Sequence, residues 1–285
     1  MSLLPFSSPY RPAWLPLTAR GVAAFANAPL RWLGAAQCAL AAAMAMLVAA
    51  TVQDTWFAGM RELLTRLPAE AAIRNGRLDW TNAAPARLVD GRYLAVAVDP
   101  ERTGALGQEA DLTLLLGETN AWCASLLGYA ELPYPAGYSV SLRRDDLAAW
   151  WGAREVFLVA AVGAGVGLLL LLLWWVLASV YWLPVWLLAV IAQRDVGPGG
   201  AWRVAAAAQL PGLVVLAAAL ASYRFGWLNL LRLGYGTALS FVVAWVYVLW
   251  APFVLPKAPV RPAKENPFSG AATVPARRPD NPFAR

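Results

Sequence analysis

The sequence predicts a membrane α-helical bundle of about four transmembrane helices with an inserted β-rich (α+β) extracytoplasmic domain. Three observations carry that expectation. Between Glu155 and Arg194 no charged residue occurs over 38 positions, and the centre of the run reads Val166-Gly167-Leu168-Leu169-Leu170-Leu171-Leu172-Leu173-Trp174-Trp175. Residues 53–154, by contrast, hold 13 of the 17 acids and 10 of the 23 bases. The chain as a whole is 60% hydrophobic and 14% charged, where a soluble protein carries about 25% charged residues. A run of about 18 or more apolar residues is a span candidate, because a helix satisfies its own backbone groups where no water is present.

Taken in order, residues 1–31 carry Arg11, Arg20 and Arg31 and no acid, which marks a cytoplasmic basic segment. Within it, 18–28 is expected to form a short interfacial helix before Pro29. The first span is expected at 32–52 and reads as a retained signal anchor. Its Ala35, Ala39 and Ala43 recur every four positions, which suits close helix contact. Cys38 lies in this span.

Residues 53–154 form the soluble insert, with mostly β signals. Asn75-Gly76 favours a two-residue type I′ turn between strands 71–74 and 77–80. That register sets Ile73 opposite Leu78 and Ala71 opposite Trp80, with Arg74, Arg77 and Asp79 on the other face. Residues 92–98 and 111–116 read as central strands, and 138–142 as a strand covering one side of a sheet. Asp145 and Asp146 stand where a helix starts, so capping and dipole stabilisation are expected of them rather than acid-base work. Trp150 and Trp151 follow, at the level where aromatic rings anchor among lipid headgroups.

The second span is expected at about 155–180. Gly163 and Gly167 make a GxxxG pair with Ala161 and Gly165 beside it, a smooth stripe for packing within the chain or for self-association. At about 1.5 Å per residue the uncharged run is roughly 58 Å long, against about 30 Å of hydrocarbon. Pro184 is therefore expected to bend or end it, and one bent helix or a helical hairpin both fit. Residues 194–203 read as a loop around Gly197-Pro198-Gly199-Gly200. The third span, 204–221, contains Gln209 and Pro211, where a buried carboxamide answers backbone groups freed by proline. The fourth, 233–250, ends in an aromatic belt of Trp245, Tyr247 and Trp250. Residues 252–285 are expected to be a disordered cytoplasmic tail. Two tripeptides, Asn266-Pro267-Phe268 and Asn281-Pro282-Phe283, resemble docking peptides in which Asn-Pro sets a turn and Phe fills a pocket.

Composition excludes much chemistry. The chain has no histidine, which removes Ser-His-Asp and Cys-His pairs, His-ligated metal and the HExxH site. Its only lysines, Lys257 and Lys264, lie in the tail. Cys38 and Cys123 are too few for a metal cluster and poorly placed for a disulfide. No cofactor is expected. The net charge of +6 lies in tails flanking apolar segments, so it speaks for membrane orientation rather than nucleic acid.

Three phrases carry a resemblance: Ile73-Arg74-Asn75-Gly76-Arg77-Leu78, the strand Val96-Ala97-Val98-Asp99 followed by Thr103-Gly104, and Gly199-Gly200 leading to Ala208-Gln209-Leu210-Pro211. The chain resembles a bacterial membrane-protein family of unknown function with a branch named for maltodextrin utilisation, and its membrane half is similar to the Yip-type bundle. The resemblance implies fold and topology, and it carries over no catalytic residue. In the family the Asp and Thr stand closer together; here Pro100-Glu101-Arg102 separates them.

Both basic ends are expected in the cytoplasm of a bacterial inner-membrane protein, with 53–154 outside. Arg224 and Arg232 then fall on the outer side, against the charge rule. The functional expectation is a non-enzymatic envelope accessory, scaffold or sensor whose outer domain binds a partner protein or ligand. The alternatives are an accessory subunit of a transporter and an enzyme using carboxylates alone, drawn from Asp99, Glu101, Asp111 and Glu118. The expected partners are the lipid bilayer and a membrane or envelope protein, including a second copy.

Overall fold

The computed structural model describes residues 17–81, 85–101, 110–126 and 128–257. Among these, four helical segments are long and apolar enough to cross a membrane: Leu30–Arg66, Arg144–Ile191, Pro198–Arg224 and Leu230–Val254. A mixed β region lies at one end of them.

The chain enters through α1 (Ala19–Ala24), whose N-cap Thr18 accepts a hydrogen bond from the Gly21 amide at 3.0 Å. A 3-10 turn, Phe25–Asn27, follows. Val22, Ala23 and Ala26 are buried in the main helical core, so this segment plugs the bundle rather than lying along an interface. Helix α2 (Leu30–Asp54) then runs the length of the bundle. Thr51 and Thr55 hydroxyls donate to the carbonyls four residues earlier, at 2.7 Å each. Such back-bonding bends helices, and the axis breaks at Thr55 before resuming as α3 (Trp56–Arg66). Met60, Leu63, Leu64 and Leu67 recur at helical spacing and press α3 onto the sheet.

The strands are β1 (Ala71–Arg74), β2 (Arg77–Trp80), β3 (Ala86–Asp90), β4 (Leu94–Val98), β5 (Leu112–Leu116), β6 (Asn120–Ser125), β7 (Gly128–Pro133) and β8 (Ser139–Ser141). Among the described residues they form a three-stranded sheet, β2-β1-β8, and a five-stranded sheet, β3-β4-β5-β6-β7. The hairpin has the expected register, Ala71 opposite Trp80 and Ile73 opposite Leu78. Asn75 (φ 50) and Gly76 (φ 78) take the left-handed conformations that a type I′ turn requires. Strands β4 and β5 run parallel, and Leu88, Val89, Leu94, Val96 and Val98 form the core beneath α3.

Helix α4 (Arg144–Ile191) is one unbroken helix of 48 residues that continues through Pro184, which settles the choice between a bent helix and a hairpin. Its N-cap is Arg143, without a side-chain cap bond, and Asp145 and Asp146 lie in the first turn. They therefore act on the dipole and not as caps. Asp146 also accepts from the Ser141 hydroxyl at 2.6 Å. Trp151 is buried against Phe57, with ring centroids 4.8 Å apart, and its indole donates to Glu155. It belongs to the contact between α4 and α3. The helix ends where Gln193 turns left-handed (φ 54) and the Arg194 amide reaches the Ala189 carbonyl at 2.8 Å, a Schellman closure without glycine.

Residues expected as loop begin the next helix. Pro198 stands at the first position of α5 (Pro198–Ala207), where its missing N–H costs nothing. Helix α6 (Leu210–Arg224) follows after a break at Ala208-Gln209, and α7 (Leu230–Trp250) starts with Asn229 as N-cap. The segment Pro198–Arg224 is the most enclosed of the four, so it forms the centre of the bundle. Ala201 and Val204 through Ala208 are fully buried there.

At one end of the bundle the two described termini meet. Tyr247 donates to the Leu17 carbonyl, and Arg194 donates to Leu255 at 2.7 Å. The sheets lie at the other end.

Helix α4 meets α2 through glycine. A Cβ on Gly163 would lie 3.1 Å from the Ala45 carbonyl oxygen, and one on Gly167 would lie 3.3 Å from the Ala45 Cβ. The partner stripe is Ala41, Ala45 and Ala49, whereas Ala35, Ala39 and Ala43 are exposed. Ala161 is also exposed, and Gly165 has open space where a Cβ would be. Gly163→Leu should thus lower the thermal stability of the detergent-solubilised protein by about 1–3 kcal/mol of overpacking, and Gly165→Leu should leave it unchanged.

Tyr134 donates to the Gly117 carbonyl at 3.2 Å, and burial pushes its hydroxyl up to about 12. The unfolded chain loses this proton near pH 10 while the folded one keeps it. The stability of the sheet region should therefore be intact below pH 10 and fall between pH 10 and 12. In a phenolate absorbance titration Tyr134→Phe should remove a component that ionises near pH 12.

Candidate functional site at the junction of sheet and helices

Parallel pairing places the beginnings of β4 and β5 side by side, with Leu94 opposite Leu112. The residues just ahead of them, Arg92, Tyr93 and Asp111, face the turn between α6 and α7. That turn closes with Gly226 (φ 77) and a 2.9 Å bond from the Trp227 amide to the Ser222 carbonyl. A helix C-terminus leaves carbonyls without intrahelical donors, and an N-terminus leaves amides without acceptors. Here the sheet supplies both.

Tyr93 donates to the carbonyls of Tyr223 and Arg224 at 2.9 and 3.2 Å. Arg92 donates to the carbonyls of Gly226 and of Leu228, the latter at 3.0 Å. Asp111 Oδ1 accepts from the Leu230 amide at 3.2 Å, alongside Asn229, which accepts from the Arg232 amide at 2.9 Å. The cation thus meets the negative end of α6, and the carboxylate meets the positive end of α7. Tyr93 and Tyr223 pack edge to face, with centroids 5.1 Å apart, and Arg224 pairs with Asp54 of α2 through Nε at 2.9 Å. That pair is half-exposed, so it adds little.

Beside these bonds lie three buried polar atoms: Trp56 Nε1, Asp111 Oδ2 and the Tyr223 hydroxyl. The Tyr223 hydroxyl lies within hydrogen-bonding reach of both others, and Asp111 and Tyr223 are buried.

The residues singled out from the sequence are scattered. Asn75 and Gly76 form the hairpin tip, where the Asn75 amide donates to the Tyr138 carbonyl at 3.2 Å. Asp99 is buried just past the far end of β4. It is a strand length from Asp111, so these two carboxylates do not form a pair. Glu118 is exposed and lies 3.8 Å from Arg77. Thr103 and Gly104 lie outside the described residues, as do the tail residues Asn266, Pro267, Phe268, Asn281, Pro282 and Phe283. Gln209 is buried and donates to the Trp174 carbonyl at 3.0 Å, next to Pro211 at the α5–α6 break. Gln37 is buried with Nε2 unpaired. Cys38 and Cys123 are free thiols. Among the described residues no group of three or more metal-binding side chains occurs.

Arg92, Tyr93, Trp56 and Tyr223 were not legible as functional from the sequence, and Asp111 was legible only as an acid in a strand. No family model, curated protein or solved structure matches the chain.

Arg92→Ala should destabilise the docking of the sheet by about 1 kcal/mol and speed amide exchange at residues 226–230. Arg224→Ala should have a smaller effect. Hydrogen-exchange mass spectrometry of the detergent-solubilised protein distinguishes the two.

Proposed function

We propose that the chain is a non-enzymatic integral protein of the bacterial inner membrane, an envelope accessory, scaffold or sensor. In this reading its sheet domain lies outside the cytoplasmic membrane and binds a partner protein or ligand. The observation that carries the reading is the junction. Arg92, Tyr93 and Asp111 fasten the sheet domain to the ends of two apolar helices, so a load on the sheet is borne by the bundle.

Membrane residence is supported by the outer face of α4, where Phe157, Leu168, Leu169 and Leu172 are each more than 60% exposed; such a face suits lipid and not water. The arrangement of ends supports an even number of crossings, with both basic termini in the cytoplasm and residues 53–154 outside. The resemblance to the family of unknown function with a maltodextrin-utilisation branch and a Yip-type bundle belongs to the same proposal.

A second reading, an accessory subunit of a transporter, draws on the broken central segment with Gln209 at the break and on buried Gln37. Broken helices carry the substrate sites of many transporters.

Crosslinking in native membranes with identification of the neighbours tests the main reading. A stoichiometric envelope protein joined through residues 53–154 is the expected outcome, and a transporter subunit joined through the apolar helices would favour the second. Reporter tags at both chain ends should be active only in the cytoplasm. A reporter inserted in the sheet domain should be active only outside.

A further inference from the structure

If the sheet domain binds a partner, as proposed above, the geometry points to the free edge of β7 as the surface that takes it. The partner adds there as an extended antiparallel strand carrying a basic residue. Strand β7 pairs with β6 on one side and ends the five-stranded sheet on the other. All six of its residues are exposed, Tyr129 at 77% and Leu132 at 54%. The opposite edge differs: β3 buries Leu88 and Val89 in the core beneath α3. Edge strands are normally blunted by lysine, by bulges or by a covering segment. β7 carries no base, and its register with β6 runs unbroken from Ser125 opposite Gly128 to Asn120 opposite Pro133.

Ladder parity shows which backbone groups are on offer. In an antiparallel sheet successive residues point their amide and carbonyl toward opposite neighbours. The Gly117 amide donates to the Asn120 carbonyl at 2.9 Å, so Asn120, Trp122 and Ala124 of β6 turn theirs toward β5. Ala121, Cys123 and Ser125 therefore serve β7, through Leu132, Ala130 and Gly128 opposite them. Tyr129, Glu131 and Pro133 are left facing outward. Tyr129 and Glu131 each present an amide and a carbonyl there, and Pro133 lacks its amide on the side where the ladder does not need it. Such a row is matched by another extended backbone. Side chains narrow the choice. Tyr129 shares its face with Trp122, ring centroids 6.0 Å apart, and Ala130 and Leu132 lie on the other. Glu131 stands on the Tyr129 face and accepts from the Asn120 side chain, and a carboxylate has room for further donors. It is the sole charge on β7. A lysine or arginine set opposite gains from it, and a second copy of β7 brings neither.

Amide exchange of the full chain in nanodiscs, resolved to single residues, reads the edge directly. Without a partner the amides of Tyr129 and Glu131 should exchange as fast as unstructured ones, while those of Ala130 and Leu132 are protected by β6. Two probe peptides rich in strand formers, Thr-Val-Lys-Val-Thr-Val and Thr-Val-Glu-Val-Thr-Val, are then added at millimolar concentration. The basic peptide should slow exchange at Tyr129 and Glu131, and the acidic one should bind about fivefold more weakly. Glu131→Lys should reverse that preference. Tyr129→Pro removes an outward amide that makes no bond within the sheet. It should abolish binding of both peptides and leave the protection of Ala130 and Leu132 intact. Equal binding of the two peptides, no protection at Tyr129 and Glu131 with either, or binding that survives Tyr129→Pro overturns the proposal. Protection at Tyr129 and Glu131 that needs no peptide and rises with protein concentration also overturns it, by giving the edge to a second copy. An envelope protein crosslinked to the sheet domain as readily in Tyr129→Pro as in the unaltered chain would overturn the edge and leave the proposed function standing.

Discussion

Helix ends govern this structure. The last carbonyls of α6 and the first amides of α7 lie at the sheet end of the bundle, where they need partners. Most helices find theirs in caps and water. Here Tyr93 and Arg92 serve the carbonyls and Asp111 serves an amide, and all three come from the starts of two parallel strands. Withdrawing the sheet would therefore strip two helix ends at once. That shared need makes the sheet domain and the apolar helices one mechanical unit.

A second constraint acts inside the bundle. Helices that lack a hydrophobic drive toward each other are held by close packing, and small residues permit it. The central segment, α5 with α6, is walled with alanine. A Cβ on Gly212 would land on the Ser240 carbonyl oxygen, and one on Gly236 on the Ala219 side chain. These glycines answer for proximity and not for backbone freedom. The same close approach seats α4 on α2 through Gly163 and Gly167.

Much of the local structure could be read from residue order. The Asn75-Gly76 turn fixed its own hairpin register because the turn geometry and the apolar alternation agree. Helix α3 is equally readable in the spacing of Met60, Leu63, Leu64 and Leu67, although the signals of the α+β insert are mostly β. Strands β3, β6 and β7 carry weak alternation and gain their identity from pairing. The alanine stripe of α2 was placed two residues off, since alanines occur on every face of that helix and only the approach of α4 selects one.

The sequence by itself determined that long uncharged segments form helices, that a charged insert separates the first from the second, and that the chemistry of histidine is absent. Those properties follow from composition and from interactions between near neighbours. Tertiary structure alone decided that Tyr93 meets Tyr223, about 130 residues later in the chain, that Asp111 serves as a helix-end partner rather than a strand acid, and that α1 is buried. Such contacts depend on which strand starts lie side by side and which helix ends face them. No window of sequence contains that information, because the bonds form between groups whose own surroundings specify only that they need a partner.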